Sequence, residues 1–147
     1  MEAYQKVYLY RRIVQAKCFI DNNYATPMDV GNIADEAYFS KFHFIRLFKK
    51  IYGKTPHQYL VTVRIDKAMQ LLQAGKSVWE VCLAVGFESL GSFSVLFKRC
   101  QGMSPSVYAA QQQSLKAAIA RNPLAFVPSC FAYQHGWIAD NSLEEVL

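Results

Sequence analysis

The chain has 147 residues, 52% apolar and 18% charged, enough for one domain with its own core or for two small subdomains sharing one. Its seven glycines and five prolines are scattered, which leaves no low-complexity linker; no apolar run approaches the roughly 18 residues that span a bilayer; and the charged N-terminus MEAYQKVYLYRRIVQAK excludes a signal-peptide core. A cytoplasmic chain without membrane contact is expected, and its net charge of +5 favours a polyanionic partner.

Helix signals recur along the chain and strand signals are nearly absent. Residues 7 to 22 read as a first helix, with Ile13, Ala16, Lys17 and Ile20 at helical spacing and Asp21-Asn22-Asn23 ending the run. Thr26-Pro27, a capping hydroxyl before a proline, predicts the start of a second, carrying Val30, Ile33, Ala34 and Ala37 at i, i+3, i+4, i+7. Ser40 opens a third, with Phe44, Leu47, Phe48 and Ile51 in the same spacing up to Gly53.

Thr55-Pro56 repeats the cap and opens a long helix to about Ala74. Ser77-Val78-Trp79-Glu80 matches a capping box, followed by Val78, Val81, Cys82 and Val85 up to Gly86. Ser89 opens a sixth helix, striped by Phe93, Leu96, Phe97 and Cys100 and ended by Gly102; Ser104-Pro105 caps a seventh that runs to about Ala120. Cys18, Cys82, Cys100 and Cys130 lie far apart with no ligand spacing, so buried free thiols and no metal site are expected, with Cys82 and Cys100 on buried stripes.

An internal repeat organises these helices. Ser40, Phe44, Leu47, Phe48, Lys49, Gly53, Pro56 and Tyr59 recur as Ser89, Phe93, Leu96, Phe97, Lys98, Gly102, Pro105 and Tyr108, and the second copy carries one extra residue in its turn. Each copy reads as a short helix, a tight turn, a second helix, then a glycine and a capped proline, which is a helix-turn-helix. The expected fold is all-α: two helix-turn-helix subdomains joined by a long connecting helix, about seven helices, with an aromatic C-terminal extension. The boundaries are 1–113 for the double unit (first unit about 7–53, connecting helix 56–74, second unit about 77–113) and 114–147 for an extension packing on it through Phe126, Phe131, Tyr133 and Trp137.

Charge follows the repeat. Residues 114–147 carry a net −1, so 1–113 hold +6, and between Glu36 and Asp66 there is no acid while Lys41, Arg46, Lys49, Lys50, Lys54 and Arg64 lie there. A solvated helix face normally mixes signs. In a helix-turn-helix the second helix enters the major groove, and rotation at about 100° per residue locates its outward face. In the first copy that face is Phe42, Ile45, Arg46 and Lys49. Arg46 can fork to guanine O6 and N7, and Phe42 and Ile45 can meet thymine methyl groups, the alternatives being a surface ion pair and packing against a neighbouring helix or the tail. In the second copy the face is Leu90, Gly91, Ser94 and Val95, poor in base-reading groups. Phosphate contacts are expected from Ser40, Lys41, Lys50 and Lys54, and from Ser89, Ser92, Lys98 and Arg99. The connecting helix spans roughly 28 Å at about 1.5 Å per residue, near the ~34 Å repeat of successive major-groove turns.

The segments IADEA, SKFHFIRLFKKIYGKTPHQYL, RIDKAMQLL and VCLAVGFESLGSFSVLFKRCQGMSPSVY, with their paired G-x-[TS]-P-x-x-Y endings and central Gly86-Phe87, resemble the DNA-binding domain of AraC/XylS-family transcription regulators over roughly residues 10 to 112. The resemblance implies two helix-turn-helix subdomains, duplex DNA as partner, activation through contact with RNA polymerase, and base-facing roles for Phe42, Ile45, Arg46, Leu90, Gly91, Ser94 and Val95. Many relatives have polar residues where this chain has Leu90, Gly91 and Val95, so the second unit is expected to read bases weakly. Most members also carry an effector-binding domain, commonly N-terminal; only about ten residues precede the match here, so the chain is expected to be either a short member with no separate sensor domain or a fragment of a longer one. A monomer on DNA, no cofactor and no enzymatic activity complete the reading, since Cys130 near His135 and Ser40 near His43 lack an orienting acid. The alternatives are a protein-interaction module or a non-specific DNA-binding protein, and charge discriminates: an interaction module has no reason to exclude acids from residues 37 to 65.

Overall fold

Capping chemistry sets most of the helix boundaries. In the computed structural model, which describes residues 2–37 and 40–137 (the side chains of 2–5, 30 and 35–37 excepted), Thr55 Oγ1 accepts from Gln58 N and Thr55 N donates to Gln58 Oε1. The pair Ser77 and Glu80 does the same, and the two Ser77 contacts hold the Glu80 carboxyl below its ordinary pKa. The helices that result are α1 (Glu2–Asn23), α2 (Val30–Ala37), α3 (Lys41–Tyr52), α4 (Pro56–Gln73), α5 (Val78–Ala84), α6 (Leu90–Gln101), α7 (Pro105–Arg121) and α8 (Ser129–Gln134), with a 3-10 turn at Pro123–Phe126 between the last two. No strand occurs among the described residues.

Two expected boundaries move. The second helix starts at Val30, because Thr26 is already used: its hydroxyl donates to Asn23 O at 2.8 Å and closes α1. The cap of α2 is instead Asp29, whose Oδ1 accepts from Asn32 N at 2.8 Å. Of the stripe expected on α2, Ile33 and Ala34 are buried, while the side chains of Val30 and Ala37 lie outside the described set. The first helix also begins five residues earlier than residue 7.

Two cores form, and α4 serves both. Ile13, Ala16 and Ile20 of α1, Ile33 and Ala34 of α2, Phe44 and Phe48 of α3 and Leu60 of α4 bury together. Ile65, Ala68 and Leu72 of α4 form the second with Val81 and Cys82 of α5, Val85 and Phe87 of the turn that follows it, Phe93 and Phe97 of α6 and Tyr108 of α7. The repeat therefore extends further than its helix-turn-helix motifs. Ile13, Ala16 and Ile20 occupy in the first unit the places that Ile65, Ala68 and Leu72, each 52 residues later, occupy in the second. The aromatic ladders match as well: Phe44, Phe48 and Tyr59 step at 5.6 and 5.7 Å between centroids, and Phe93, Phe97 and Tyr108 at 5.7 and 5.5 Å. Gly53 and Gly102 close α3 and α6 at φ 73° and 79°, the left-handed region that favours glycine.

Each ladder ends in a tyrosine hydroxyl bond, with different chemistry in the two units. Tyr59 Oη donates to Asp21 Oδ1 at 2.7 Å, and Asp21 also takes the Lys17 ammonium at 2.7 Å. That bond to Asp21 is the main reason the Lys17 pKa is raised; burial, then Asp21, raise that of Tyr59. At the corresponding place Gln73 Nε2 donates to Tyr108 Oη at 2.7 Å, a neutral pair. Lys116 reaches back from α7 to the Gln73 carbonyl.

Three cysteines depart from expectation. Cys82 is buried, its Sγ 3.8 Å from the Phe87 carbonyl and its pKa raised by burial, whereas Cys18, Cys100 and Cys130 are exposed. Cys100 falls at the edge of its stripe, on the last turn of α6 where no helix covers it, and Ile51 at the end of α3 is likewise 36% exposed. In the extension, Phe126, Phe131, Tyr133 and Trp137 stand about half exposed, and the rings of Phe131, His135 and Trp137 contact one another. The 3-10 turn touches α7. Among the described residues no helix is long and apolar enough to cross a membrane, and no group of His, Cys, Asp or Glu is placed to hold a metal.

Two outcomes follow. Tyr59→Phe removes a hydrogen bond to a carboxylate and is expected to cost about 1.5 kcal/mol in denaturant unfolding, Tyr108→Phe about half that; equal losses would show that the Asp21 charge adds nothing. In the native protein, Cys18, Cys100 and Cys130 should react with a maleimide within minutes and Cys82 only after unfolding, read by mass spectrometry of quenched aliquots.

Candidate nucleic-acid interface

The matched cores aim α3 and α6 in the same way, because Phe44 and Phe48 hold one as Phe93 and Phe97 hold the other. Opposite those anchors, Phe42 is 78% exposed, with Arg46 and Lys49 also outward and Ile45 half-buried at the flank. On α6, Val95 is 59% and Leu90 40% exposed, Gly91 is open, and Ser94 is half-buried. A Cβ on Gly91 would meet nothing within 4 Å, so neither packing nor backbone requires glycine there. By repeat register the faces pair Phe42 with Gly91, Ile45 with Ser94, Arg46 with Val95 and Lys49 with Lys98. The first face thus offers an aromatic ring, an aliphatic group and a guanidinium where the second offers hydrogen, a hydroxymethyl group and isopropyl.

The cations frame these faces. Lys49 and Lys50 lie in the last turn of α3, and Lys98 and Arg99 in that of α6, where they also complement the helix dipole. Lys41 stands exposed at the start of α3 and Lys54 in the turn after it, its Nζ 3.1 Å from Thr62 Oγ1. The serines differ between copies. Ser89 Oγ accepts from Ser92 N at 3.2 Å and donates to Ser92 Oγ at 2.9 Å, so both hydroxyls help cap α6; Ser40 caps α3 without a side-chain bond.

Two features escaped the sequence reading. A groove of about 420 Å³ runs between the first half of α4 and the end of α6, where Lys54, His57 and Arg99 flank Val61, Leu96 and Cys100. Its signal would have been that the acid-free stretch continues onto α4 through His57. The other is Arg64, one of the cations of that stretch, which turns inward. Its Nε donates to Tyr24 O at 2.7 Å and its Nη2 to Thr26 O at 3.0 Å, its guanidinium carbon lies 5.5 Å from the centre of the Phe87 ring, and burial lowers its pKa. It joins neither outward face.

The geometry agrees with what comparison of the chain with known proteins finds. The sequence model of a helix-turn-helix domain family matches residues 33–111, more than half of the chain. The chain is 36% identical over 91 residues to the probable transcriptional regulator LumQ of Photobacterium leiognathi, covering 61% of this chain and 37% of that protein. It is 33% identical over 91 residues to the HTH-type transcriptional activator AarP of Providencia stuartii, covering 61% of this chain and 67% of that protein. Among solved structures, the DNA-binding domain of the global transcriptional factor AdpA, crystallised in complex with a target DNA, superposes with a TM-score of 0.66 at 32% identity, covering 76% of this chain and 96% of that one. The chain therefore spans little more than a third of LumQ and about two thirds of AarP. It belongs to the AraC/XylS family of helix-turn-helix transcription regulators.

Proposed function

We propose that this chain regulates transcription in the cytoplasm by binding duplex DNA in a sequence-dependent way, as a monomer whose α3 and α6 enter two successive major-groove turns on one side of the duplex. The observation that carries the reading is the outward face of α3: a 78% exposed Phe42 beside Arg46, anchored from behind by fully buried Phe44 and Phe48. An apolar ring held in water by a rigid helix gains only if a partner covers it, and in a groove it meets thymine methyl groups. Arg46 forks to guanine, and Ser40, Lys41, Lys49, Lys50 and Lys54 surround the contact with donors for phosphates. On α6, Ser89, Ser92, Lys98 and Arg99 hold the backbone, while Leu90, Gly91, Ser94 and Val95 read little beyond shape and methyl groups. α4, 18 residues and about 27 Å long, separates the two helices by less than one groove repeat of ~34 Å. Activation fits the likeness to the transcriptional activator AarP, and contact with RNA polymerase is what the family resemblance implies.

Selection of bound sequences from a random duplex library tests the reading and yields the site. Six to eight phosphate contacts give a log affinity against log salt slope of about −5 to −7, and a slope near zero would point to an interaction module instead. On the selected site, Arg46→Ala is expected to cost roughly 1–3 kcal/mol and to relax preference at one base pair, whereas Lys98→Ala weakens specific and random DNA alike and makes the salt slope shallower by about one. If substitutions at Leu90 or Val95 abolish specificity while Arg46→Ala does not, α6 is the dominant reader. Phe42→Ala should weaken specific binding yet leave unfolding free energy within about 0.5 kcal/mol, while Phe44→Ala costs about 3–5 kcal/mol of stability; calorimetry of both variants checks this.

A further inference from the structure

Arg64 stands on α4 between Leu60, which belongs to the first core, and Ile65, which belongs to the second. Its two bonds reach carbonyls of the corner that leads from α1 to α2, Tyr24 O and Thr26 O. Its guanidinium also lies over Phe87, in the turn that leads from α5 into α6. The same corner meets the same turn directly. Gly86 has φ 88°, and a Cβ there would stand 2.7 Å from Ala25 O and 3.0 Å from Tyr24 O, so only a residue without a side chain lets the two backbones approach. Tyr24 itself packs against both cores. Apart from the shared α4, the first unit is thus tied to the second here, beside the start of α6.

The chemistry of the tie is unusual for a stabilising contact. A half-buried cation that forms no ion pair among the described residues gives up hydration and recovers it from two neutral carbonyls. An apolar side chain of similar volume would serve packing as well. What the planar fork adds is direction: two acceptors two residues apart are fixed relative to α4 at once, whereas a lysine ammonium, with freely rotating donors on a flexible stem, sets no such angle.

We infer that Arg64 is a positioning residue that locks the distance and rotation between α3 and α6, and so determines which spacing of two half-sites the protein accepts. The inference rests on the reading that both helices engage DNA, and the spacing test rests on it too; a measurement without DNA separates the two. Moving one half-site by a single base pair shifts it about 3.4 Å and about a tenth of a turn around the duplex. The native protein is expected to lose at least about tenfold in affinity for such a site, a step of about 1.4 kcal/mol. Arg64→Met, and Arg64→Lys, which keeps the charge, should bind the isolated first half-site as the native protein does yet show a spacing penalty below about threefold. A purely structural role would instead lower affinity for every site by one factor and keep the penalty.

For the measurement without DNA, Cys18 of the first unit and Cys100 of the second are both exposed, so with Cys130→Ser in place they accept a pair of nitroxide labels. Dipolar spectroscopy should give one narrow distance for the native chain and a visibly broadened distribution for either Arg64 variant. An unchanged distribution overturns the inference whether or not DNA binds. An unchanged spacing penalty in Arg64→Lys overturns it equally.

Discussion

The structure depends on one helix being buried twice. α4 gives Leu60 to the first core and Ile65, Ala68 and Leu72 to the second. At about 100° per residue the second set lies roughly a third of a turn around the helix from the first. Neither unit owns a complete set of walls, so the pose of each reading helix is referred to the same rod. This also explains why α4 shows no single apolar stripe although it buries more side chains than any other helix among the described residues: a helix covered on two sides carries apolar residues around much of its circumference.

Duplication under that constraint has kept the supports alike and let the outward faces diverge. Phe44 and Phe93, Phe48 and Phe97, Tyr59 and Tyr108, Gly53 and Gly102 answer one another in place and in ring geometry. Each is fixed by close packing or by backbone conformation, where a change of one methylene is felt. The outward pairs, Phe42 with Gly91 and Arg46 with Val95, have no such neighbours and are set by whatever they touch outside the chain. The ends of the ladders differ as well, an ionic cluster of Lys17, Asp21 and Tyr59 in one unit and a neutral Gln73 and Tyr108 pair in the other.

What was legible in the sequence was what is local. Caps at Thr55, Ser77, Ser89 and Ser104, the stopping glycines, and the 3.6-residue stripes all operate within one or two turns, and they fall where expected. The outward exposure of Phe42, Arg46 and Lys49 follows from the buried stripe by rotation alone. The misses are of two kinds. At Thr26 and Asp29 two capping residues compete within three positions, and the outcome depends on which helix end takes the hydroxyl. At Arg64 the partners lie 38 and 40 residues away, so a cation in an acid-free stretch reads as solvent-facing until the first unit's corner is laid against α4. Cys100 shows the limit of periodicity itself, because a stripe says which face is inward but not where the covering helix ends.

The shared helix also dictates an order of assembly. As the chain leaves the ribosome, the first core is complete once Leu60 has emerged, since every other member precedes it. Ile65, Ala68 and Leu72 emerge next with nothing to cover them, and their core is not closed until Tyr108, 36 residues after Leu72. At about 5–20 residues per second that interval lasts roughly 2–7 s. During it the nascent protein is a folded first unit trailing an apolar half-helix, and the second unit forms against a template that the first has already set in place.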